Sequence, residues 1–257
     1  MANPGSSASQ DTTADLDGYP FRSQRPLATL LFLLPMVLLY EAALPIYGAD
    51  QLHHVYHDIY ARRLLQQLFA HFGVTGYYLP GLIVMVVLLS WHFVSRDRWY
   101  FEPSVYGWMW IESLLLALPL FVFMLVVFRP QCPEAAMQGN LEAIRWQAQL
   151  LFSVGAGIYE ELLFRLLGVT LIHAVLVDML AMPSVIGTVV AVLASAIAFA
   201  LYHFGPGKPF QWVSCLFFAA AGVYFAVIYL LRGFGIVAGT HALYDVMVTA
   251  MVSHNFG

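Results

Sequence analysis

Residues 159–165 read Tyr-Glu-Glu-Leu-Leu-Phe-Arg and lie inside an otherwise apolar run, roughly residues 150–174. Ionised side chains are costly at membrane depth and usually mark a functional site there. On a helix, Glu161 and Arg165 are i,i+4 neighbours and can pair, whereas Glu160 lies about 100° further round and faces elsewhere. The pattern predicts a structural ion pair between Glu161 and Arg165, and it leaves Glu160 for chemistry.

The composition of the whole chain agrees with a membrane location for this run. Of the 257 residues, 61% are hydrophobic and only 10% are charged, whereas a soluble chain is nearer about 25% charged. At about 20 residues for each span, the chain has room for roughly six to eight membrane helices. We therefore predict an all-α, multi-pass integral membrane protein, a bundle of about seven transmembrane helices with a polar catalytic cavity inside the membrane.

The apolar runs also predict how the chain is organised. Residues 1–25 are polar and predict a disordered tail, and residues 26–257 are expected to form a single transmembrane domain. A charged and aromatic stretch at residues 96–100 (Arg-Asp-Arg-Trp-Tyr) is typical of a membrane interface. The predicted spans are residues 27–47, 77–94, 108–128, about 150–174, 184–202, 210–230 and 236–252.

Two carboxylates in other spans have alternative interpretations. Glu41 lies in the first predicted span. We favour a position near the helix end that reaches the interface, and the alternative is a carboxylate inside the bundle near the active site. Glu112 lies near the predicted start of the third span, where a carboxylate suits the helix dipole. A structural role is therefore expected for Glu112.

Histidines and cysteines give weaker signals. His53 and His57 have i,i+4 spacing that a metal could bridge, but no carboxylate or cysteine set completes the ligands, so a solvated helix face is favoured. Cys215 is expected to be a small buried residue in the middle of a helix. A disulfide with Cys132 is disfavoured but remains open. The net charge of −4 and the lack of a basic run do not favour a nucleic-acid partner.

Two later stretches add titratable side chains in apolar surroundings. Residues 199–203 read Phe-Ala-Leu-Tyr-His, and residues 241–245 read His-Ala-Leu-Tyr-Asp. Together with the double glutamate, the chain carries Glu-Glu-x-x-x-Arg, Phe-x-x-x-His and His-x-x-x-Asp in that order. Each motif alone is weak, but three in order, each within or at the end of an apolar segment, form a specific pattern.

This pattern resembles the CAAX protease and bacteriocin-processing family of intramembrane proteases, which includes the type II CAAX prenyl endopeptidases. The resemblance covers about residues 155–252. It implies that Glu160 and His203 activate water, and that His241 and Asp245 stabilise the oxyanion. Many members have Asn in the last motif, where this chain has Asp245. Because an ionised Asp cannot donate a hydrogen bond, Asp245 is expected either to orient His241 or to ligate a metal.

The residues themselves also favour activated water. The chain has no Gly-x-Ser-x-Gly motif, and neither cysteine has a neighbouring base. A positioned carboxylate such as Glu160 is a workable general base, and His203 can share the water. His241 can donate a ring N–H to the oxyanion. We favour no cofactor, and the alternative is zinc held by Glu160, His203, His241 and Asp245.

The predicted function is therefore an intramembrane endopeptidase that hydrolyses a peptide bond of a membrane-associated protein or peptide. The lipid bilayer is its other expected partner, and the oligomeric state and the need for a prenyl group stay open. Two other classes are a non-enzymatic membrane scaffold or immunity protein and a proton-coupled transporter. Unpaired intramembrane carboxylates argue against the first, and the lack of repeated broken helices argues against the second.

Overall fold

The computed structural model of the protein describes residues 18–50, 55–56, 58–128, 146–204 and 209–254, and it is helical over most of them. A short antiparallel ladder pairs Ala49–Asp50 with Val55–Tyr56. Parts of two long helices are π-helical, at Met124–Phe128, Leu162–Val169 and Ala174–Met179. The helices are α1 (Tyr19–Ser23), α2 (Pro26–Tyr47), α3 (Tyr60–Ala70), α4 (Leu79–Ser95), α5 (Pro103–Phe128), α6 (Trp146–Met179), α7 (Ser184–Tyr202) and α8 (Trp212–His254).

Five of the described helices are long and apolar enough to cross a membrane, and α4 is apolar but shorter, with 17 residues. The five are α2, α5, α6, α7 and α8. The apolar part of α8 alone runs for 40 residues, about 60 Å of helix and twice the thickness of a hydrocarbon core. The prediction of an all-α, multi-pass membrane protein is confirmed.

A single residue divides α8 into two antiparallel halves. Gly233 has φ 81° and ψ 179°, a backbone conformation that is essentially restricted to glycine. Phe225 and His241, eight positions before and after it, stack with ring centroids 4.5 Å apart. The chain therefore reverses at Gly233, and the two halves correspond to the sixth and seventh predicted spans.

Close packing of α6 against the second half of α8 positions the polar motifs. A Cβ at Gly157 would lie 2.5 Å from the carbonyl oxygen of Ala238 and 2.7 Å from the Cβ of Ala242. Small residues of this kind let two membrane helices approach closely. The contact lies one turn before Glu160 and Glu161 and next to His241, so it brings the first and last motifs together.

The N-terminal part of the chain differs from its prediction. Residues 1–17 lie outside the described residues, but α1 is helical where a disordered tail was predicted. Tyr19 donates a hydrogen bond to Glu112, which also pairs with Arg232. These contacts tie α1 to α5 and to the turn at Gly233.

Two other expectations need correction. Because α5 begins at Pro103, Glu112 lies well inside the helix, and an ion pair with Arg232 satisfies it instead of the helix dipole. Cys215 lies in the first turn of α8 and is partly exposed, so it is neither mid-helix nor fully buried. Cys132, His53 and His57 lie outside the described residues.

Candidate active site

Three helices bring the predicted site residues to one place. Glu160 lies in α6, His203 follows the last residue of α7, and His241 lies in the second half of α8. The Oε2 atom of Glu160 is 3.9 Å from Nε2 of His203 and 4.0 Å from Nε2 of His241. The convergence expected from the three motifs is therefore present, and the chemical roles of these residues remain predictions.

Glu161 and Arg165 form the buried ion pair that their spacing predicts. Both side chains are fully buried, and Nε of Arg165 lies 3.1 Å from Oε2 of Glu161. The guanidinium also lies over the ring of Phe199, 4.3 Å from its centroid, and donates to the carbonyl of Gly222. Arg165 thus connects α6 to α7 and to the first half of α8.

Glu161 makes a second contact that the sequence did not predict. Its Oε1 accepts a hydrogen bond of 2.7 Å from Nδ1 of His241. The carboxylate therefore lies between a guanidinium and an imidazole. Such an acceptor fixes the orientation of the ring and leaves Nε2 of His241 facing the site.

Tyr202 holds one oxygen of Glu160. Its hydroxyl donates to Oε1 of Glu160 at 3.1 Å and accepts from the backbone N–H of Ala61 at 2.8 Å. The other oxygen, Oε2, has no hydrogen-bond partner among the described residues. A buried carboxylate oxygen without a donor is costly, and such atoms are found where a site awaits a ligand or substrate.

His203 is oriented by its own helix. Its Nδ1 lies 2.8 Å from the carbonyl oxygen of Phe199, an atom that can only accept, so Nδ1 carries the hydrogen. In the neutral ring, Nε2 then carries the lone pair, and it faces Glu160. The ring also stacks on Phe218, with centroids 3.9 Å apart and an angle of 16°. Backbone and stacking together fix the direction of Nε2.

His241 lies among three carboxylates. Besides its bond to Glu161 and its distance from Glu160, its Nε2 lies 3.6 Å from Oδ2 of Asp245. That distance is too long for a hydrogen bond but short for two charges. The ring of His241 therefore has a carboxylate near each of its nitrogens, Glu161 at Nδ1 and Glu160 and Asp245 at Nε2.

Phe225 is a contact residue that the sequence analysis missed. Its ring stacks on His241 at an angle of 18°, and the guanidinium of Arg165 lies 5.5 Å from its centroid. The available signal was the turn at residues 232–235, which read Arg-Gly-Phe-Gly. Positions equally distant from a tight reversal face each other, and Phe225 and His241 are such a pair.

The side chains of the cluster differ in how exposed they are. The side chains of Glu160 and His241 are 9% and 4% exposed, whereas those of His203 and Asp245 are 19% and 29% exposed. His203 and Asp245 therefore lie on the more exposed side of the cluster, and Glu160 and His241 lie deeper.

The residues of the zinc alternative do not form a preformed ligand set in the part of the chain that the structure describes. Within the described ranges, no group of three or more His, Cys, Asp or Glu side chains is arranged to hold a metal ion. We therefore derive no step through a metal.

A second buried cluster adjoins the first through Tyr159. Glu41 is buried and pairs with Arg62, at 3.2 Å to Nε and 2.9 Å to Nη2, and it accepts from the Tyr159 hydroxyl. Arg62 also binds Asp58 at 2.6 Å. The favoured interface position of Glu41 is therefore wrong, because an interior arginine from α3 pairs with it.

The charge of Arg62 follows from these partners. Burial lowers the pKa of Arg62, but the hydrogen bonds that Arg62 donates to Glu41 and the charge of Asp58 outweigh burial and raise that pKa above its ordinary value. Arg62 is therefore a permanent cation. It joins the partly amphipathic helix α3 to the bundle beside the site.

Comparison with known proteins agrees with the motif pattern. The family model described as "Type II CAAX prenyl endopeptidase Rce1-like" matches residues 143–247. The matched segment contains the double glutamate and both histidines, and it confirms the resemblance to the CAAX protease family. No curated protein and no solved structure matches the chain.

Proposed function

We propose that this chain is an intramembrane endopeptidase that hydrolyses a peptide bond with a water molecule activated by Glu160 and His203. The similarity of residues 143–247 to the type II CAAX prenyl endopeptidases suggests a protease of that class acting on a protein substrate at the membrane. One observation carries the mechanism. Among the residues that the structure describes, none donates a hydrogen bond to Oε2 of Glu160, whereas Tyr202 donates to Oε1. Nε2 of His203 and Nε2 of His241 each lie within 4.0 Å of Oε2.

In the first step, Glu160 takes a proton from a water molecule through Oε2. His203 orients that water by accepting its second hydrogen at Nε2, since Nδ1 is committed to the Phe199 carbonyl. The water oxygen attacks the carbonyl carbon of the peptide bond. A positioned base of this kind contributes about 10²- to 10⁴-fold to a rate.

In the second step, the carbonyl oxygen becomes an oxyanion and His241 donates to it through Nε2–H. Glu161 fixes the ring through Nδ1, and Asp245 acts on His241 electrostatically without touching the substrate. A charged donor aimed at the developing oxyanion is worth more than a neutral one. This would compensate for the missing Asn donor.

The third step breaks the peptide bond. Glu160 returns its proton to the amide nitrogen, the C–N bond breaks, and the electron pair leaves with the amine. The products are a carboxylic acid and an amine, and no proton or electron is unaccounted for. The enzyme ends in its starting state.

A peptidase assay in liposomes that contain the full chain tests this function against its rivals. We expect cleavage of membrane-associated peptides, unchanged by a zinc chelator, and no proton flux across the vesicle wall. Peptides that differ only in a prenyl group would define the substrate class. Proton flux without cleavage would identify a transporter, and cleavage abolished by chelator would make the polar cluster a zinc site.

A further inference from the structure

A cleft at the opposite end of the bundle carries a cluster of arginines. Its open space is about 330 Å³, and part of it is open to solvent. The lining comes from α1, the start of α2, the segment before α5 and the start of α5. The polar lining side chains are Arg22, Arg25, Arg98, Tyr100, Glu102 and Tyr106.

The positive charge of this cleft is only partly compensated. Arg22 pairs with Glu102 at 2.6 Å, and Arg25 lies 3.7 Å from Asp97. Among the described residues, Arg98 forms no ion pair, and the buried Nε of Arg25 has no hydrogen-bond acceptor. That Nε is inaccessible to solvent, so Arg98 is the guanidinium of this cleft that is left for an anion. The lining carries three arginines and one carboxylate, Glu102.

Helix directions place the cleft at a membrane surface. Helix α2 begins at Pro26, α4 ends at Ser95 and α5 begins at Pro103, so three apolar helices terminate around it. The adjoining residues Trp99 and Phe101 are each 65% exposed. Exposed aromatic rings beside arginines are typical of the depth at which lipid headgroups lie.

We propose that this cleft binds the phosphate group of a phospholipid headgroup in the surrounding leaflet. Guanidinium groups match phosphate oxygens in pairs, which makes arginine the favoured residue for such a ligand. The exposed Arg98 supplies the unused donors, and Tyr100 and Tyr106 can contact the glycerol region. The site is separate from the catalytic cluster and shares no residue with it.

Titration of the detergent-solubilised full chain with dihexanoyl phosphatidylglycerol, followed by native mass spectrometry, tests this proposal. Inorganic phosphate is the second probe and is added as a competitor. Arg98→Gln removes a donor from an exposed side chain without an ion pair, so the fold is retained. Arg63→Gln is the matched control, since Arg63 is an exposed arginine on α3 at the other end of the bundle.

We expect the wild type and Arg63→Gln to bind one lipid equally, and Arg98→Gln to bind it roughly tenfold more weakly, the typical worth of one charged hydrogen bond. If inorganic phosphate displaces the lipid, the cleft recognises the phosphate group alone. If Arg98→Gln weakens lipid binding but inorganic phosphate does not displace the lipid, the cleft recognises the whole headgroup. Equal affinity of Arg98→Gln and wild type, or equal weakening by Arg63→Gln, overturns the proposal.

Discussion

Two buried carboxylate clusters lie side by side in this protein, and they differ in how completely their polar atoms are bonded. In the cluster of Glu41, Arg62 and Asp58, both oxygens of Glu41 and all three guanidinium nitrogens of Arg62 have partners. In the cluster around Glu160, four buried atoms have no hydrogen-bond partner among the described residues: Oε2 of Glu160, Oε2 of Glu161, and Nε and Nη1 of Arg165. Tyr159 and Glu160 are consecutive residues, yet they belong to different clusters.

The comparison shows why burial and charge alone do not identify an active site. A fully bonded buried network is rigid, and removing one member strands the others. A partly bonded network costs stability, and a structure keeps it where the unbonded atom has another task. The unbonded atoms therefore distinguish the candidate site from its neighbour, and among them Oε2 of Glu160 faces two histidines and no arginine.

The largest expected effect is on activity, from Glu160→Gln. Gln keeps an acceptor for Tyr202 but cannot take a proton from water. We expect turnover to fall about 10²- to 10⁴-fold with an unchanged melting temperature. Peptidase assays and thermal unfolding of Glu160→Gln, with Asp178→Asn as an exposed carboxylate-to-amide control, would check this. Turnover near that of the wild type would show that another group is the base.

Arg62→Met, in the neighbouring cluster, should lower stability, whereas Glu160→Gln should lower turnover. Arg62→Met leaves Glu41 and Asp58 without their cation, and stranding a buried charge costs about 3–5 kcal/mol of unfolding free energy. Arg63→Met, one position away and exposed, should change stability by less than about 0.5 kcal/mol. Denaturation in detergent would compare the pair, and equal stability of the two variants would contradict the structural role of Arg62.

Glu161→Gln should combine both effects. The change removes the charge that faces Arg165, and the stranded guanidinium costs about 3 kcal/mol or more. Activity should also fall, because Glu161 helps to hold His241. Melting temperatures of Glu161→Gln and Glu160→Gln, measured side by side, should differ clearly. Equal melting temperatures for Glu161→Gln and Glu160→Gln would show that the ion pair between Glu161 and Arg165 does not stabilise the fold.

The two substitutions at Asp245 separate electrostatic support from direct contact. Asp245→Asn should keep substantial activity, because the amide offers a hydrogen-bond donor to the oxyanion. Asp245→Ala can neither support His241 electrostatically nor donate to the oxyanion. Its turnover should fall roughly 10²-fold, as when an oxyanion donor is removed. Turnover would be measured with and without chelator. Equal damage by both changes, together with chelator sensitivity, would instead make Asp245 a metal ligand.

The smallest effect is expected from Tyr202→Phe. The variant loses one hydrogen bond to Glu160, worth about 1 kcal/mol or roughly fivefold in rate. Because Tyr202 contacts the base and not the substrate, the loss should fall on kcat and leave KM unchanged. Steady-state kinetics would separate these terms. A raised KM with unchanged kcat would show that Tyr202 contacts the substrate.

Contacts within one helix were the part that the sequence could predict. The i,i+4 spacing gave the pair of Glu161 and Arg165, and the 100° rotation set Glu160 apart from it. The glycine-rich turn at residues 232–235 also separated the last two spans correctly. These features depend on local geometry, which is the same in every helix.

Contacts between helices were beyond such reasoning. The bond from His241 to Glu161 joins residues 80 positions apart, and Arg62 pairs with Glu41 from a different helix. Whether a polar side chain on an amphipathic helix faces water or the bundle depends on its neighbours. For the same reason the missing partner of Glu160 could not be read from the motif.

The reversal at Gly233 also has a consequence for how the protein is made. With no loop between its two halves, the chain from Trp212 to His254 offers no polar stretch at which the translocation machinery could pause between two spans. We expect both halves to enter the bilayer together as one helical hairpin, with the rings of Phe225 and His241 already facing each other. A bulkier residue at position 233 should therefore prevent insertion into the membrane. That defect would precede any effect on catalysis.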